Sequence, residues 1–262
     1  MEALDYENIR LELDGPLATL VLADPDRLNA LTPEMVDGVQ AALLEVAKPR
    51  RGVRALMITG EGRAFCAGAN IVGRKLEIGA RNAVEGVFHP MIRKLRDVEV
   101  PVIAAVNGPC VGIGLAMTLL ADFVVASESA YFLVPFRNLA SATDSGLTWL
   151  LPRAIGVARA RQLVMRAERL PARQALDWGM INLVVSADDF ATAARQAARE
   201  FAEGPTIALG EMRRLFQASA DASLDAQMEA EARAVRRTSR TQDNVAAVRA
   251  FAAKTKANFT GA

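Results

Sequence analysis

The stretch from Val100 to Ala126, VPVIAAVNGPCVGIGLAMTLLADFVVA, constrains the fold of this chain more than any other. Residues 102–106 are a short apolar run rich in β-branched side chains, and Asn-Gly closes it, as in a buried strand that runs into a turn. Gly112 and Gly114 then open an apolar helical run at 115–121, and a second apolar strand pattern follows. The stretch therefore predicts strand, glycine turn, helix and strand.

This glycine turn is expected to leave backbone donors free at the start of the helix. The N–H groups of Gly112, Ile113 and Gly114 should point outward, since the first amides of a helix have no intrahelical acceptor. Such donors suit a developing negative charge. Glycines are equally suited to a turn that only lets helix and strand approach closely, so the pattern alone leaves both interpretations open.

A second strand pattern ends in another turn of small residues. RALMITG at 54–60 is typical of a buried strand, and it runs into EGRAFCAGANI, where residues 67–70 again can present backbone donors. Donors from two separate turns could converge on one oxygen, which is the requirement for an oxyanion hole. Each preorganised donor can contribute roughly 3 kcal/mol of transition-state stabilisation.

The remaining patterns place these turns in a wider fold. Strand and helix patterns alternate over 50–126, which predicts parallel strands joined by crossover helices. Before them, Ile9–Leu13 alternates as an edge strand should, and it turns into a second strand at 17–22 to form a hairpin. Thr32 is the expected N-cap of an amphipathic helix that ends near Pro49.

The two glycine stretches together resemble the crotonase family of enoyl-CoA hydratases and isomerases. The resemblance continues along essentially the whole chain, through the segments SAYF, TDSGLTWLLPRAIG, A-x-x-A-L-x-W-G-x-I-N and KANF. It implies an α/β fold, a ClpP-like spiral of ββα units, with a C-terminal helical region that mediates trimerisation. It also implies an acyl-CoA thioester as the substrate, with coenzyme A entering as part of that substrate rather than as a separate cofactor.

The resemblance assigns roles to particular positions. The oxyanion donors would be the amides of Ala69 and Ile113. Residues that match the family's CoA-binding positions are Arg27, Leu28, Ala30, Ala67, Ala69, Asn70, Ile71, Phe251 and Lys254. Of these, Phe251 and Lys254 would reach the CoA of a neighbouring subunit. A lysine beside a CoA phosphate is physically sensible, although a solvated surface lysine is an equally simple interpretation.

The family's hydratases use two glutamates that this chain lacks. Ala116 and Phe136 stand at the matching positions, and neither side chain can move a proton. A carboxylate occurs instead at Asp144, in an otherwise uncharged run. Burial among apolar groups would raise its pKa and make it a stronger base. The alternative is that Asp144 caps a helix that begins at the next residues.

Asp144 and the residues after it resemble the isomerase branch of the family that includes the 1,2-epoxyphenylacetyl-CoA isomerases, in which S-G-x-T-W-L-L-P follows a catalytic aspartate. This implies that Asp144 is the base that shifts a double bond. The chain departs from the branch at 139–143, LASAT in place of a segment that ends G-L-V-P-D. Asn70 also stands where aspartate is usual, and Ile113 replaces a glycine at an oxyanion donor, which requires a negative φ there.

Several rival functions stay open at this point. One is a hydratase that uses Asp144 and a water, and another is an acyl-CoA-binding protein without catalysis. Thioester hydrolysis is also known on this scaffold, as is dehalogenation by an aspartate nucleophile, which would use Asp144 with His89 nearby and a tryptophan where this chain has Phe136. His89 is the only histidine, and nothing near it in sequence would orient it, so a solvated or packing role is favoured over a catalytic one.

Composition excludes some classes of function. With 31 basic and 30 acidic residues among 262, the chain has no net field to attract a polyanion, so nucleic acid is not an expected partner. The first residues lack the pattern of a signal peptide, and no apolar run reaches the roughly 18 residues of a membrane span, so we expect no membrane association and a cytoplasmic protein. Cys66 and Cys110 are expected to be reduced packing residues. No residue cluster has metal-ligand spacing, so no metal is expected.

The chain is expected to divide into a core at 1–204 and a helical arm at 205–262. Ser223 and Thr241 are expected N-caps in the arm, whose amphipathic helices carry apolar faces. In the resembling family such an arm builds a homotrimer or a dimer of trimers, which we therefore expect here. Between the glycine turns, the charged and glycine-containing segment 72–99 is expected to be a loop or short helix over the acyl pocket.

Overall fold

A computed structural model of the protein describes residues 2–71 and 84–262. Its strands, numbered along the chain, are β1 Glu2–Tyr6, β2 Ile9–Asp14, β3 Leu17–Leu22, β4 Ala55–Gly60, β5 Val102–Val106, β6 Cys110–Val111, β7 Phe123–Ser127, β8 Tyr131–Leu133, β9 Leu170–Pro171 and β10 Leu183–Val185. Its α-helices are α1 Pro33–Val46, α2 His89–Arg96, α3 Ile113–Leu119, α4 Leu147–Ile155, α5 Val157–Arg166, α6 Ala172–Asp177, α7 Phe190–Ala202, α8 Thr206–Ser219, α9 Leu224–Thr238 and α10 Gln242–Ala253.

The main sheet has seven strands in the order β1-β2-β3-β4-β5-β7-β10. Strands β3, β4, β5, β7 and β10 are parallel, and helices cross between successive members, which confirms the predicted α/β class. Every residue of β3 and of β5 is buried. These strands therefore carry continuous apolar runs, as strands covered on both faces do.

The predicted hairpin forms, but the expectation that its first strand lies at the edge of the sheet is wrong. Strand β2 pairs antiparallel with β3 on one side and with β1 on the other, so the edge strand is β1. The alternation in β2 arises because one of its faces packs against the core while the other is half exposed. The same alternation is compatible with an edge or an inner position.

Helix N-caps form where the sequence predicts them. The Thr32 hydroxyl accepts a hydrogen bond from the amide of Met35 at the start of α1, which ends at Val46, just before Pro49. In the C-terminal region Ser223 caps α9 and Thr241 caps α10 in the same way. Each cap provides an acceptor for an amide that the helix itself cannot satisfy.

One buried arginine attaches α8 to the core. The guanidinium of Arg213 is 2.6 Å from a carboxylate oxygen of Asp122 and also donates to the backbone carbonyls of Leu95, Val98 and Leu120. Its side chain is 3% exposed. A planar donor fork can satisfy several acceptors at once, so this one residue joins α8 to the ends of two core segments. The division into a core at 1–204 and an arm at 205–262 stays a prediction.

The segment that leads into α2 is described only in part. Residues 84–88 form one turn of π-helix before α2, which fits the expectation of short helix there. Residues 72–83, where a loop is expected, lie outside the described residues. In the described ranges no helix is both long and apolar enough to cross a membrane.

Candidate active site

The two glycine turns lie side by side, as the sequence predicts. The backbones of Cys66 and Cys110 pair in an isolated parallel β-bridge, in which the amide of Val111 donates to the Cys66 carbonyl at 2.9 Å. The amides of Phe65 and Cys66 both donate to the Pro109 carbonyl at 3.1 Å. These backbone bonds fix the turn at 67–70 against the start of α3.

Glycine is required where the two turns touch. Gly68 has φ 101° and Gly112 has φ 54°, both in the left-handed region that side chains disfavour. A Cβ added to Gly114 would lie 2.7 Å from the Cβ of Cys66, so a larger residue would push α3 away from the neighbouring turn. The positive φ falls on Gly112 and not on Ile113. Ile113 therefore meets the condition that a β-branched residue at this position must have a negative φ.

Two backbone amides of these turns are free to bind a ligand. Within the described residues, no backbone acceptor is recorded for the N–H of Ala69 or for that of Ile113, and both residues line one cavity. The expectation of a free amide at Gly112 is wrong, because its N–H donates to the Leu133 carbonyl at 3.0 Å. Strand β8 lies beside the turn and supplies that acceptor, which the local sequence does not show.

The cavity has a volume of about 630 Å³ and a mostly apolar wall. The rings of Phe88 and Phe136 line it together with the side chains of Ile71, Val84, Val111, Pro135 and Leu139. The ionisable groups among its described lining residues are Asp144 and His89. The cavity can therefore hold an apolar acyl group next to one carboxylate and one imidazole.

Asp144 reaches the cavity from a sharp turn before α4. Ser145 has φ 54° and Gly146 has φ 78°, so two successive left-handed residues separate Asp144 from the helix. The interpretation of Asp144 as a helix cap is wrong, because Gly146 occupies the cap position of α4 and no side chain caps it. Instead the Asp144 carboxylate accepts a hydrogen bond from the Ser145 hydroxyl at 2.9 Å.

Burial raises the pKa of the Asp144 carboxyl above its ordinary value, while the Ser145 hydrogen bond and the interaction with His89 oppose this shift. His89 is the first residue of α2 and lines the same cavity. The favoured sequence interpretation gave His89 a solvated or packing role because nothing near it in sequence could orient it. Its neighbour in the fold is Asp144, and no local pattern indicates that pairing.

The two positions that the family resemblance matches to the glutamates of hydratases hold no proton donor. Ala116 is fully buried in α3. Phe136 lines the cavity, and its ring edge would lie 3.9 Å from a Cβ added to Gly112. An aromatic ring therefore stands next to the glycine turn where a hydratase would place a carboxylate.

The residues expected to bind CoA near the N-terminus lie beside the turn at 67–70. The amide of Ala67 donates to the Leu28 carbonyl at 2.9 Å, and that of Asn70 donates to Leu31, next to Ala30. Ala67, Ala69 and Ile71 line the cavity. The guanidinium of Arg27 is 62% exposed and pairs with Asp24.

Asn29 holds this loop in place, a role that no local sequence pattern indicates. It is fully buried and has φ 57°, and its side-chain amide donates to the carbonyls of Ala64 at 2.8 Å and Glu61 at 3.0 Å. Asparagine tolerates the left-handed region better than most residues. Asn29 thereby connects the loop at 27–30 to the segment that runs from β4 into the turn at 67–70.

Phe251 and Lys254, the other residues expected to bind CoA, lie apart from this cavity at the end of α10. Phe251 is 86% exposed and Lys254 is exposed. Their expected contact is with a neighbouring subunit, so their role stays a prediction.

Both cysteines are buried, unbridged packing residues, as expected. Burial raises the pKa of Cys66 to about 12 and raises that of Cys110 further. Over residues 2–71 and 84–262, no group of three His, Cys, Asp or Glu side chains is arranged to hold a metal ion. That the protein works without a metal stays a prediction.

The raised pKa of Asp144 predicts an effect on stability. Because the folded state holds this proton more tightly than the unfolded chain does, the fold loses stability as the pH rises through the ordinary aspartate pKa, and the loss is complete above the raised pKa. Asp144→Asn should therefore raise the melting temperature near neutral pH, and the gain should shrink as the pH falls. Calorimetry over a pH series tests this, with the exposed Asp188→Asn as the control that should show no such gain. A lower melting temperature for Asp144→Asn at neutral pH would contradict the burial argument.

Comparison with known proteins agrees with this architecture. The sequence model described as "Enoyl-CoA hydratase/isomerase" matches residues 12–262. A 1,2-epoxyphenylacetyl-CoA isomerase of Escherichia coli K12 is 37% identical over 262 residues, covering 97% of this chain and 99% of that protein. The 4-chlorobenzoyl coenzyme A dehalogenase-2 of an Arthrobacter species is 30% identical over 229 residues, covering 86% of this chain and 83% of that protein.

A solved structure agrees over the same length. An enoyl-CoA hydratase subunit I of Geobacillus kaustophilus superposes with a TM-score of 0.91 at 32% identity, covering 98% of this chain and 99% of that one. These relatives are named for different reactions although they share one family, so membership of the family does not determine the reaction. With its match over residues 12–262, the chain belongs to the enoyl-CoA hydratase/isomerase family, whose fold is the crotonase spiral.

Proposed function

We propose that this protein shifts a double bond in an acyl-CoA thioester, with Asp144 as the base. The observation that carries the proposal is the composition of the cavity wall: one carboxylate lies in the same cavity as the free amides of Ala69 and Ile113. Both positions that hold glutamates in the hydratases are occupied here by non-ionisable side chains. A single base is sufficient for an isomerisation, because the proton it removes can return at another carbon.

The two amides would stabilise the anion that forms when the proton leaves. A thioester carbonyl between the N–H groups of Ala69 and Ile113 acidifies the carbon-bound protons next to it or along a conjugated chain. Asp144 takes one such proton, the electron pair delocalises into the enolate, and Asp144 returns the proton at a different carbon. The substrate gains and loses no electrons overall, so the reaction needs no redox cofactor, and coenzyme A enters only as part of the substrate.

The environment of Asp144 suits this role. Its raised pKa makes the carboxylate a stronger base than an exposed aspartate. The ring of Phe136 beside the glycine turn provides no group that could activate a water, which favours isomerisation over hydration.

The Asp144→Asn variant tests the proposed base. Asparagine keeps the size of the side chain but cannot accept the proton, so isomerisation of a 3-enoyl-CoA and deuterium exchange into its acyl chain should fall by roughly 10²–10⁴. Binding of the acyl-CoA should change little, because the amides are untouched. Mass spectrometry measures the deuterium exchange, and calorimetry measures the binding of the acyl-CoA. Asp188→Asn is the matched control and should leave both unchanged.

Near-parental exchange in Asp144→Asn would remove Asp144 from the mechanism. Hydration of a 2-enoyl-CoA by the parent, lost in the same variant, would instead indicate a hydratase that uses Asp144 and a water. Binding without turnover of either substrate would indicate an acyl-CoA-binding protein.

A second candidate is dehalogenation of an aryl-CoA, favoured by the position of His89 in the cavity with Asp144. The Asp144 carboxylate would displace a halide from the ring to form an aryl ester, and water activated by His89 would hydrolyse that ester and regenerate the carboxylate. Chloride release from 4-chlorobenzoyl-CoA, abolished by His89→Gln, would support this reaction. His89→Gln should leave double-bond isomerisation largely intact if the first proposal is right.

We also propose that the C-terminal helices assemble the protein into a homotrimer or a dimer of trimers. Large apolar side chains are exposed along them, at Met212, Phe216, Leu224, Met228, Val235, Val245, Val248 and Phe251. Exposed apolar surface of this extent is typical of an interface. In such an assembly Phe251 and Lys254 would reach a neighbour's CoA.

Light scattering should give three or six times the chain mass of 28.1 kDa at micromolar concentration. Phe216→Asp should lower that mass, since Phe216 is 82% exposed in the single chain and a charge there would be buried in the assembly. Met165 on α5 is 67% exposed, and Met165→Asp is the matched control that should leave the mass unchanged. A stable monomer of the parent would contradict the proposal.

A further inference from the structure

The residue after Asp144 has a backbone conformation that serine seldom adopts. Ser145 has φ 54°, which costs a residue with a side chain roughly 1 kcal/mol or more. It is nevertheless almost fully buried, with 1% of its surface exposed. Glycine, which follows at the next position, would adopt this conformation without the cost. The serine side chain therefore contributes something that glycine cannot.

That contribution is a hydrogen bond to the carboxylate. The Ser145 hydroxyl donates to Oδ1 of Asp144 at 2.9 Å, and no other acceptor for it is recorded among the described residues. The second carboxylate oxygen, Oδ2, has no hydrogen-bond partner in the described part of the chain. Hydrogen bonds to an ionised acceptor are stronger than neutral ones and restrict the orientation of the carboxylate.

We propose that Ser145 is a positioning residue for Asp144, whose hydroxyl fixes the carboxylate through Oδ1 and leaves Oδ2 to accept the substrate proton. The role in turnover rests on the function proposed above, but the restraint on the carboxylate does not. The contact is made from a left-handed backbone conformation at Ser145. The strain is maintained because the side chain is buried and hydrogen-bonded.

The hydroxyl also affects the protonation of Asp144 in a direction that can be measured. It stabilises the charged carboxylate and so opposes the rise in pKa that burial causes. Among the described residues, the other ionisable group that acts on Asp144 is His89 from α2, which acts in the same direction. Removing the hydroxyl should therefore raise the pKa of Asp144 further, because His89 remains in place and only the hydrogen bond from Ser145 is lost.

Two variants separate the hydroxyl from the backbone. Ser145→Ala removes the hydroxyl and retains a side chain at positive φ, whereas Ser145→Gly removes the hydroxyl and relieves the strain. The matched control is Ser186→Ala, which removes a similar bond, 2.7 Å from the hydroxyl to Asp189, at an exposed site far along the chain. Asp144 is titrated by NMR in protein with ¹³C-labelled aspartate carboxyls, and its signal is identified by its absence from Asp144→Asn.

We expect the pKa of Asp144 to rise in both the alanine and the glycine variants and to stay unchanged in the Ser186 control. We expect kcat at the pH plateau to fall about tenfold in both, with little change in KM, because a hydrogen bond to a charged group is lost. If the glycine variant titrates and turns over like the parent, the role of residue 145 is confined to the backbone and the inference is overturned.

The titration distinguishes this inference from the proposed reaction. If the pKa rises in both variants while the parent converts no enoyl-CoA, the restraint on Asp144 is supported and the proposed isomerisation is what fails. If the pKa is unchanged in both variants, the inference fails whatever the parent turns over.

Discussion

Backbone hydrogen bonds between residues 65–66 and residues 109–111 hold the two glycine turns of the site together. They bring the amide of Ala69, in the turn that follows β4, and the amide of Ile113, at the start of α3, to the wall of one cavity. The approach is possible only because Gly114 has no side chain to meet Cys66 and because Gly68 and Gly112 take left-handed conformations. Parallel strands buried on both faces hold the two turns rigidly, so the amides are oriented before a ligand arrives.

The carboxylate of Asp144, which lines the same cavity as these amides, is placed at a cost to stability. Burial in the apolar cavity disfavours its charged form, and the turn that delivers it contains a strained serine. Both features would be removed by selection for stability alone, and strain of this kind typically occurs at functional sites. The surrounding fold, through buried contacts such as those of Arg213, provides the stability that offsets them.

Much of this arrangement follows from local sequence patterns. Apolar runs ending in glycine indicate β4, β5 and both turns, and the hydroxyl caps at Thr32, Ser223 and Thr241 form as the sequence predicts. What the sequence does not show depends on contacts between distant segments. The hydrogen bond from Gly112 to Leu133 and the neighbourhood of His89 and Asp144 are of this kind. The position of β2 inside the sheet was missed because its alternation suits an edge or an inner strand.

The proposed reaction requires that the amides of Ala69 and Ile113 together hold the thioester carbonyl of an acyl-CoA. Isotope-edited infrared spectroscopy tests it most directly, with a ¹³C-labelled thioester carbonyl bound to the Asp144→Asn variant so that the ligand is not consumed. Two preorganised donors should polarise the carbonyl and lower its stretching frequency below that of the same acyl-CoA in water. A bound carbonyl that absorbs at or above the frequency of the free ligand would contradict the account.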